Sequence, residues 1–407
     1  MRNNGFTRRS FVRLSGLAAA SLGLAACGGG TQGVGAPPAD AIRIGGIGPL
    51  TGSSAIYGTA TRIGAQIAVD KINETEGKTV LVLNWEDDQH DTEKAINAYN
   101  ILKDWGMHML VGCTTTPPCK VVSTETNADR IFQLTPSASS TDVLGGQADA
   151  NGNVTIPRKD NVFQMCFSDP NQGTASATFI ANRKLGSKIA VIYNNSDPYS
   201  TGIFQKFDAK AKELGLDVVK VSSFTDDSSN DLKVQLGEAK GAGADLVFIP
   251  IYYTPAALLL TQAHEIGYAP KFFGVDGLDG ILSIPGFDTS LAEGVMLLTP
   301  FVATANDEGT KNFVAAYREY VGSNEDPNQF AADAFDCVSA LYKAIKELNL
   351  KADMSAQDMC DKLIETFSSG KFTYSGLTGA NMTWSATGEV SKDPKGTIIK
   401  KGVYQPL

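Results

Sequence analysis

The sequence predicts an α/β fold built as two doubly wound parallel-sheet lobes. Three observations carry that expectation. Short apolar runs are each followed by a helical pattern, as parallel strands covered by helices on both faces require. The rhythm runs twice, pausing over the polar, Gly/Asn-rich stretch 141–160 and restarting after Cys166. Loops rich in Gly, Ser, Thr, Asn and Tyr follow the runs, where ligands sit in open parallel sheets.

Taken in order, Ile42 to Ile47 is a strand, and Ala60, Ile63, Ile67 and Ala68 share one face of the helix after it. Thr79 to Asn84 reads as a strand, Glu93 to Trp105 as a helix, and Met109 to Gly112 as a strand. A helix from about Cys119 to Ala128 and a strand at Ile131 to Leu134 complete the first cycle. The second cycle has helices at 172–185, 201–214, 231–240 and 255–266, and strands at 188–193, 217–222, 245–250 and 271–274. A further strand spans Val295 to Pro300, and long helices follow at 308–321 and 329–347. Residues 141–160 read as a surface insertion.

The N-terminus reads as an exported leader, residues 1–26. Arg2, Arg8, Arg9 and Arg13 form a basic segment without an acidic residue, and the apolar stretch Leu14 to Ala26 is too short to span a bilayer. Leu24-Ala25-Ala26-Cys27 is a lipobox, which predicts cleavage before Cys27 and a lipid on its thiol. Arg8-Arg9 resembles a twin-arginine signal, and a Sec leader is the alternative. A flexible tether, 27–40, follows. The 407-residue chain carries a net charge of −9, which becomes −13 once the four leader arginines are removed. So acidic a surface argues against nucleic acid as a partner.

Beyond Cys27 there are five cysteines, Cys113, Cys119, Cys166, Cys337 and Cys360. In an oxidising compartment at least one stays unpaired within a monomer, and Cys113 with Cys119 could close a small loop. No CxxC is present and His90, His108 and His264 are scattered, so neither a metal nor a cofactor is expected. Asp87-Asp88-Gln89-His90-Asp91 reads as a solvated turn capping the helix near Thr92. Asp169, Asp197 and Asp279 read as structural, Trp85, Trp105 and Trp384 as core, and Phe330 to Tyr342 as plain helix core. No G-x-S-x-G elbow or HExxH occurs, and Gly45-Gly46-Ile47-Gly48 lacks dinucleotide-loop spacing, which argues against an enzyme.

The loops after the strands divide by chemistry. Gly48-Pro49-Leu50-Thr51-Gly52, Gly112-Cys113-Thr114-Thr115-Thr116 and Thr135-Pro136-Ser137-Ala138-Ser139 offer hydroxyls and helix starts, which suit an anion. The Tyr199 loop, Tyr252-Tyr253 and Gly274-Val275-Asp276-Gly277 offer aromatics and a carboxylate, which suit a cation. A ligand with both charges, an α-amino acid zwitterion, fits the pair.

These loops, in this order and spacing over about residues 42–395, resemble a branched-chain amino acid (Leu/Ile/Val) type substrate-binding lipoprotein of ABC importers, a periplasmic binding protein of type I. The resemblance implies two lobes joined by a three-strand hinge, 41–167 with 300–382 and 168–299 with 383–407. It implies that Thr116 and Ser139 bind a ligand carboxylate, with Thr114 and Thr115 in the same loop. The carbonyl of Ser137 or Ala138 would take an ammonium proton, and Asp276, beside Gly277, would pair with that ammonium, helped by Tyr199. Tyr57 and Tyr252 would line the side-chain pocket. Asp276 stands where the family often has Glu, and Tyr57 where a tryptophan is common. The implied partners are a small amino acid, the permease subunits and, through Cys27, a membrane, with the protein itself a monomer. An extracytoplasmic sensor sharing the same body is the alternative.

Overall fold

The computed structural model describes residues 38–148 and 153–407. The expected leader (1–26), the lipidated Cys27 and the tether up to Pro37 lie outside the described residues. The first cycle runs β1 (Ile42–Ile47), α1 (Ala55–Glu76), β2 (Leu81–Glu86), α2 (Thr92–Asp104), β3 (Met109–Gly112), α3 (Thr116–Asp129) and β4 (Phe132–Thr135). A small ribbon of β5 (Gln147–Ala148) and β6 (Val154–Ile156) precedes β7 (Val162–Gln164). The second runs α4 (Asp169–Arg183), β8 (Ile189–Asn194), α5 (Pro198–Glu213), β9 (Val218–Phe224), α6 (Lys233–Gly241), β10 (Leu246–Ile249), α7 (Tyr253–Glu265), β11 (Lys271–Gly274) and β12 (Met296–Thr299). Then come α8 (Glu308–Val321), α9 (Gln329–Glu347), α10 (Ala356–Ser368), β13 (Lys395–Lys400) and β14 (Val403–Pro406).

One sheet has five parallel strands in the order β2-β1-β3-β4-β7. The other has seven, β14-β13-β12-β11-β10-β8-β9, parallel from β12 to β9 and closed at one edge by the antiparallel β13–β14 hairpin. Each is covered on both faces, as the apolar strands require. Beneath the first sheet, Phe132, Phe163 and Phe367 pack with Trp384.

That last contact corrects the expected lobe boundary at residue 383. Trp384 is buried in the core of the first lobe and donates from Nε1 to the Gln164 carbonyl at 2.8 Å. Gln164 N in turn donates to the Gly388 carbonyl. The segment up to Lys392 therefore belongs to the first lobe, and the chain joins the second sheet at Lys395.

Several helices begin earlier than their apolar periodicity indicates: α3 at Thr116, α4 at Asp169, α5 at Pro198 and α7 at Tyr253. Prolines occupy the first turn of α3, α4 and α5, where no intrahelical N–H is needed. The extra turns carry Thr116, Asp169, Tyr199 and Tyr253 to the ends of the strands that precede them.

Helix α1 packs tightly against α9. A Cβ on Gly64 would lie 1.9 Å from the Ala331 carbonyl oxygen, so glycine there sets the interhelical distance. Gly64→Ala should therefore destabilise by about 1–3 kcal/mol although alanine is the better helix former. A lowered urea midpoint checks this; an unchanged or raised one would mean that the contact yields.

Candidate functional site

The site lies where the strand ends of the two sheets face each other. On the first-lobe side, a Cβ on Gly48 would lie 2.1 Å from Thr114 Oγ1, so only glycine leaves room for that hydroxyl. Thr114 Oγ1 lies 2.9 Å from Thr61 Oγ1 on α1. Thr115 is the N-cap residue of α3 and Thr116 its first residue, both buried. Ser137 Oγ donates to the Thr114 carbonyl at 2.5 Å, and Thr135 Oγ1 donates to Cys113 O and accepts from Ala138 N. These bonds hold two hydroxyl-rich loops together at the start of α3, where Pro117 and Pro118 carry no N–H, so the hydroxyls are the donors on offer to a negative charge.

On the second-lobe side, Tyr199 in the first turn of α5 donates its hydroxyl to Asp276 Oδ1 at 2.6 Å and accepts from Gly277 N at 2.9 Å. Its ring stacks on Tyr252, with centroids 4.7 Å apart and planes 7° apart. A Cβ on Gly277 would lie 2.5 Å from the Tyr199 hydroxyl. Gln172 Oε1 accepts from Asp276 N at 3.3 Å, and Gln329 Nε2 donates to Asp276 O at 3.1 Å.

Tyr57 of α1 bridges the two sides. Its hydroxyl donates to the Gly277 carbonyl and accepts from Tyr253 N at 3.0 Å. Tyr253 accepts from Ile56 N through its own hydroxyl, and Thr254 Oγ1 donates to Ser53 O at 2.8 Å. The lobes are thus in contact along this seam. The cavity behind it is lined by Thr114, Thr115, Thr116 and Ser137 from one side, Tyr199, Tyr252, Asp276 and Gly277 from the other, and Tyr57 and Phe330 between them. It leaves about 10 Å³ of free volume, room for a single water molecule.

Nine of the residues singled out from sequence line this cavity. Ala138 and Ser139 do not: the Ala138 carbonyl accepts from Gln164 Nε2 at 2.8 Å, and the Ser139 carbonyl accepts from Asp169 N at 2.9 Å. Phe330 was assigned to plain helix core, yet it opens α9 against Tyr57, centroids 4.5 Å apart. Its position two residues after Asn328, an N-cap that accepts from Ala331 N, is the signal for a helix start rather than a helix interior.

The second-lobe side holds buried carboxyls whose charge burial disfavours. Asp276 is 3 % exposed, and burial pushes its carboxyl up to about 7 against the pull of the Tyr199 and Gln172 hydrogen bonds. Asp169, the first residue of α4 and 1 % exposed, is held well above the usual range by burial and further by the charges of Asp276 and Asp197. Neither of its oxygens has a hydrogen-bond partner, and the neighbouring Ser139 hydroxyl does not close one. Asp169, expected to be structural, does not line the cavity. Asp197 is structural, accepting from Tyr199 N as the cap of α5.

Other expectations change too. All five described cysteines are buried and free, so Cys113 and Cys119 do not close a loop. Among the described residues, no group of three or more His, Cys, Asp or Glu is placed to hold a metal ion, and no helix is long and apolar enough to cross a membrane. Asp91 caps α2 as expected, accepting from Glu93 N and Lys94 N at 2.9 Å, but Asp88 is buried rather than solvated. Trp85 is half-buried; it lies against β1, where a Cβ on Gly46 would come within 2.1 Å of its ring.

The chain is 27 % identical to "Leu/Ile/Val-binding protein homolog 3" of Brucella melitensis over 88 % of its own length and 91 % of that protein's. It is 26 % identical to the "leucine-, isoleucine-, valine-, threonine-, and alanine-binding protein" of Pseudomonas aeruginosa over 76 % and 79 %. A leucine binding protein from Thermotoga maritima shares the fold with a TM-score of 0.76 at 23 % identity, covering 90 % of this chain and 97 % of its own. A Streptococcus pneumoniae branched-chain amino acid transporter binding protein, solved with isoleucine, gives 0.75 at 24 %, covering 90 % and 99 %. The family model for periplasmic binding proteins matches residues 41–394, nearly the whole described body, and the chain belongs to that family.

Proposed function

We propose that this protein captures an aliphatic L-amino acid of the branched-chain class outside the cytoplasm and presents it to an ATP-driven importer, with no chemistry of its own. The observation that carries the reading is the facing of two unlike surfaces across one seam. The hydroxyls of the Thr114–Thr116 and Ser137 loops suit a carboxylate. Asp276, which lines the cavity and whose carboxyl burial pushes up, suits an ammonium. Tyr57, Tyr252 and Phe330 leave an apolar wall for a side chain. The names of the relatives support the ligand class.

So little free volume remains that a ligand must enter with the lobes apart. Closure about the crossings between the sheets then brings both surfaces onto it, and the ligand favours that state by touching both sides. Lipid on Cys27 would keep the otherwise soluble body at the membrane face, as a monomer, within reach of its permease.

Isothermal titration and melting of the protein with Leu, Ile, Val, Thr and Ala test this, with benzoate as a control because a structural neighbour was solved with it. At least one amino acid should saturate, and at a hundredfold excess over its dissociation constant it should add about 2.7 kcal/mol to stability. Silence with all five, or a response to benzoate alone, sinks the amino acid reading.

A further inference from the structure

The turn between β2 and α2 does more than cap a helix. Asp87 clamps it to the loop after β1, accepting from Leu50 N at 2.7 Å and Thr51 Oγ1 at 2.6 Å. Asp88 Oδ1 accepts from His90 N at 2.9 Å, and Gln89 and His90 take left-handed backbone angles, φ 51° and 61°. Such angles are uncommon outside glycine and are held here by the clamps on either side.

The result is to aim the His90 ring at the mouth of the cleft. Its Nδ1 lies 2.8 Å from Thr115 Oγ1 in its own lobe. Its edge meets the Tyr252 ring of the other lobe at 87°, centroids 5.6 Å apart. Both partners line the cavity, and Tyr252 stacks on the tyrosine that holds Asp276. One imidazole thus touches the anion-binding side directly and the carboxylate side through two stacked rings. Separating the lobes breaks the Tyr252 contact and leaves the Thr115 contact in place.

We propose that His90 is a positioning residue for capture, which orients the Thr115 hydroxyl at the cavity and couples lobe closure to the site by docking on Tyr252. This rests on the solute-binding reading above.

The closed arrangement favours a neutral ring. Burial lowers the affinity of His90 for a proton, and the carboxylates that face it, Asp91 on its own turn and Asp226 after β9, do not outweigh that. Thr115 and Tyr252, the N-cap residues of α3 and α7, bring no charge at neutral pH. Closure therefore expels a proton from His90. Capture should weaken as pH falls through the ordinary histidine range near 6.5 and level off above it. Asp276, Asp88, which accepts from His90 N, and Asp197, which faces Tyr252, titrate over the same range, so the measurement is the difference between wild type and variant.

The test is L-leucine affinity at pH 8 and pH 5.5 for wild type, His90→Gln and His90→Ala. Glutamine keeps a polar partner for Thr115 but does not titrate. At pH 8 His90→Gln should bind within about threefold of wild type and His90→Ala about tenfold weaker. Between pH 8 and 5.5 the loss should be at least about threefold smaller in His90→Gln than in wild type. An identical pH profile in wild type and His90→Gln, or full affinity in His90→Ala, overturns the proposal. Wild type that binds no leucine at any pH counts against the solute reading instead. The ring signals of the three histidines, followed by NMR without ligand in wild type and Tyr252→Ala, then decide: the His90 titration should move up toward 6.5 in the variant, and an unmoved midpoint overturns the docking.

Discussion

Asp276→Asn should weaken capture steeply and at the same time make the ligand-free protein more stable above neutral pH. The two effects share one cause. In the ligand-free fold the Asp276 carboxyl is buried and is drawn up to about 7 from an ordinary value near 3.8. A group raised in this way binds more protons folded than unfolded between those values. Its contribution to stability therefore falls as pH rises from about 4 to about 7, and the full cost is borne above that. By linkage the cost is at most about 4 kcal/mol for this one side chain. Asparagine keeps an acceptor for the Tyr199 hydroxyl and removes the charge. The melting temperature of the ligand-free variant should exceed that of wild type by a few °C at pH 8, and the difference should fade toward pH 4. Capture runs the other way. An ammonium left without its buried carboxylate costs about 2–5 kcal/mol, a loss of about 30-fold to about 5,000-fold in affinity. A variant that melts below wild type at pH 8 would show that the carboxyl is not held in reserve for a cation; one that binds an amino acid as before would move the ammonium elsewhere.

Much of this was legible in the sequence. Apolar strands alternating with amphipathic helices fix the two-sheet architecture, because each strand buried on both faces must be nearly continuous in Val, Ile, Leu and Phe. The same alternation points to the loops after the strands, which is why nine expected residues meet at one cavity. The misses have local causes. Pro117, Pro118, Pro170 and Pro198 look like helix breakers but sit in first turns, so α3, α4 and α5 start ahead of their periodicity and Asp169 passes for a loop residue. Trp384 sits in a short stretch of turns without a period, so nothing nearby tells which core it enters. β13 and β14 each carry only one adjacent apolar pair, Ile398-Ile399 and Val403-Tyr404, and so give little strand signal of their own. Asp87 to Asp91 looks solvated because four of its five residues are charged or ionisable; only the fold shows that Asp88 is buried and that His90 faces the other lobe.

Lys392→Met should be the most destabilising single change outside the cleft. The Lys392 ammonium is fully enclosed, 2.7 Å from Asp333 Oδ1 on α9 and 2.6 Å from Thr378 Oγ1. Thr378 is fixed in turn by Asp336, which accepts from Leu377 N, Thr378 N and Thr378 Oγ1. Burial still lifts Asp333 to about 6 despite the lysine beside it, so desolvation outweighs attraction and the pair is not a source of net stability. Breaking it is another matter. With methionine at 392 the Asp333 carboxylate stays buried without its cation, a cost of about 3–5 kcal/mol that should grow with pH as the carboxyl is forced to ionise. Replacing both partners, Asp333→Leu with Lys392→Met, should recover most of the loss, because an apolar pair of similar size avoids the desolvation. What the pair supplies is position. Lys392 lies just before the chain enters the second sheet at β13, and Asp333 lies one turn beyond Gln329 and Phe330, which shape the cleft. The double variant should therefore melt near wild type yet differ from it in ligand affinity, whereas urea unfolding of the single variant should show the full deficit. A single variant that loses less than about 1 kcal/mol would mean that water reaches Asp333, and the crossing would then be held by the Trp384 core alone.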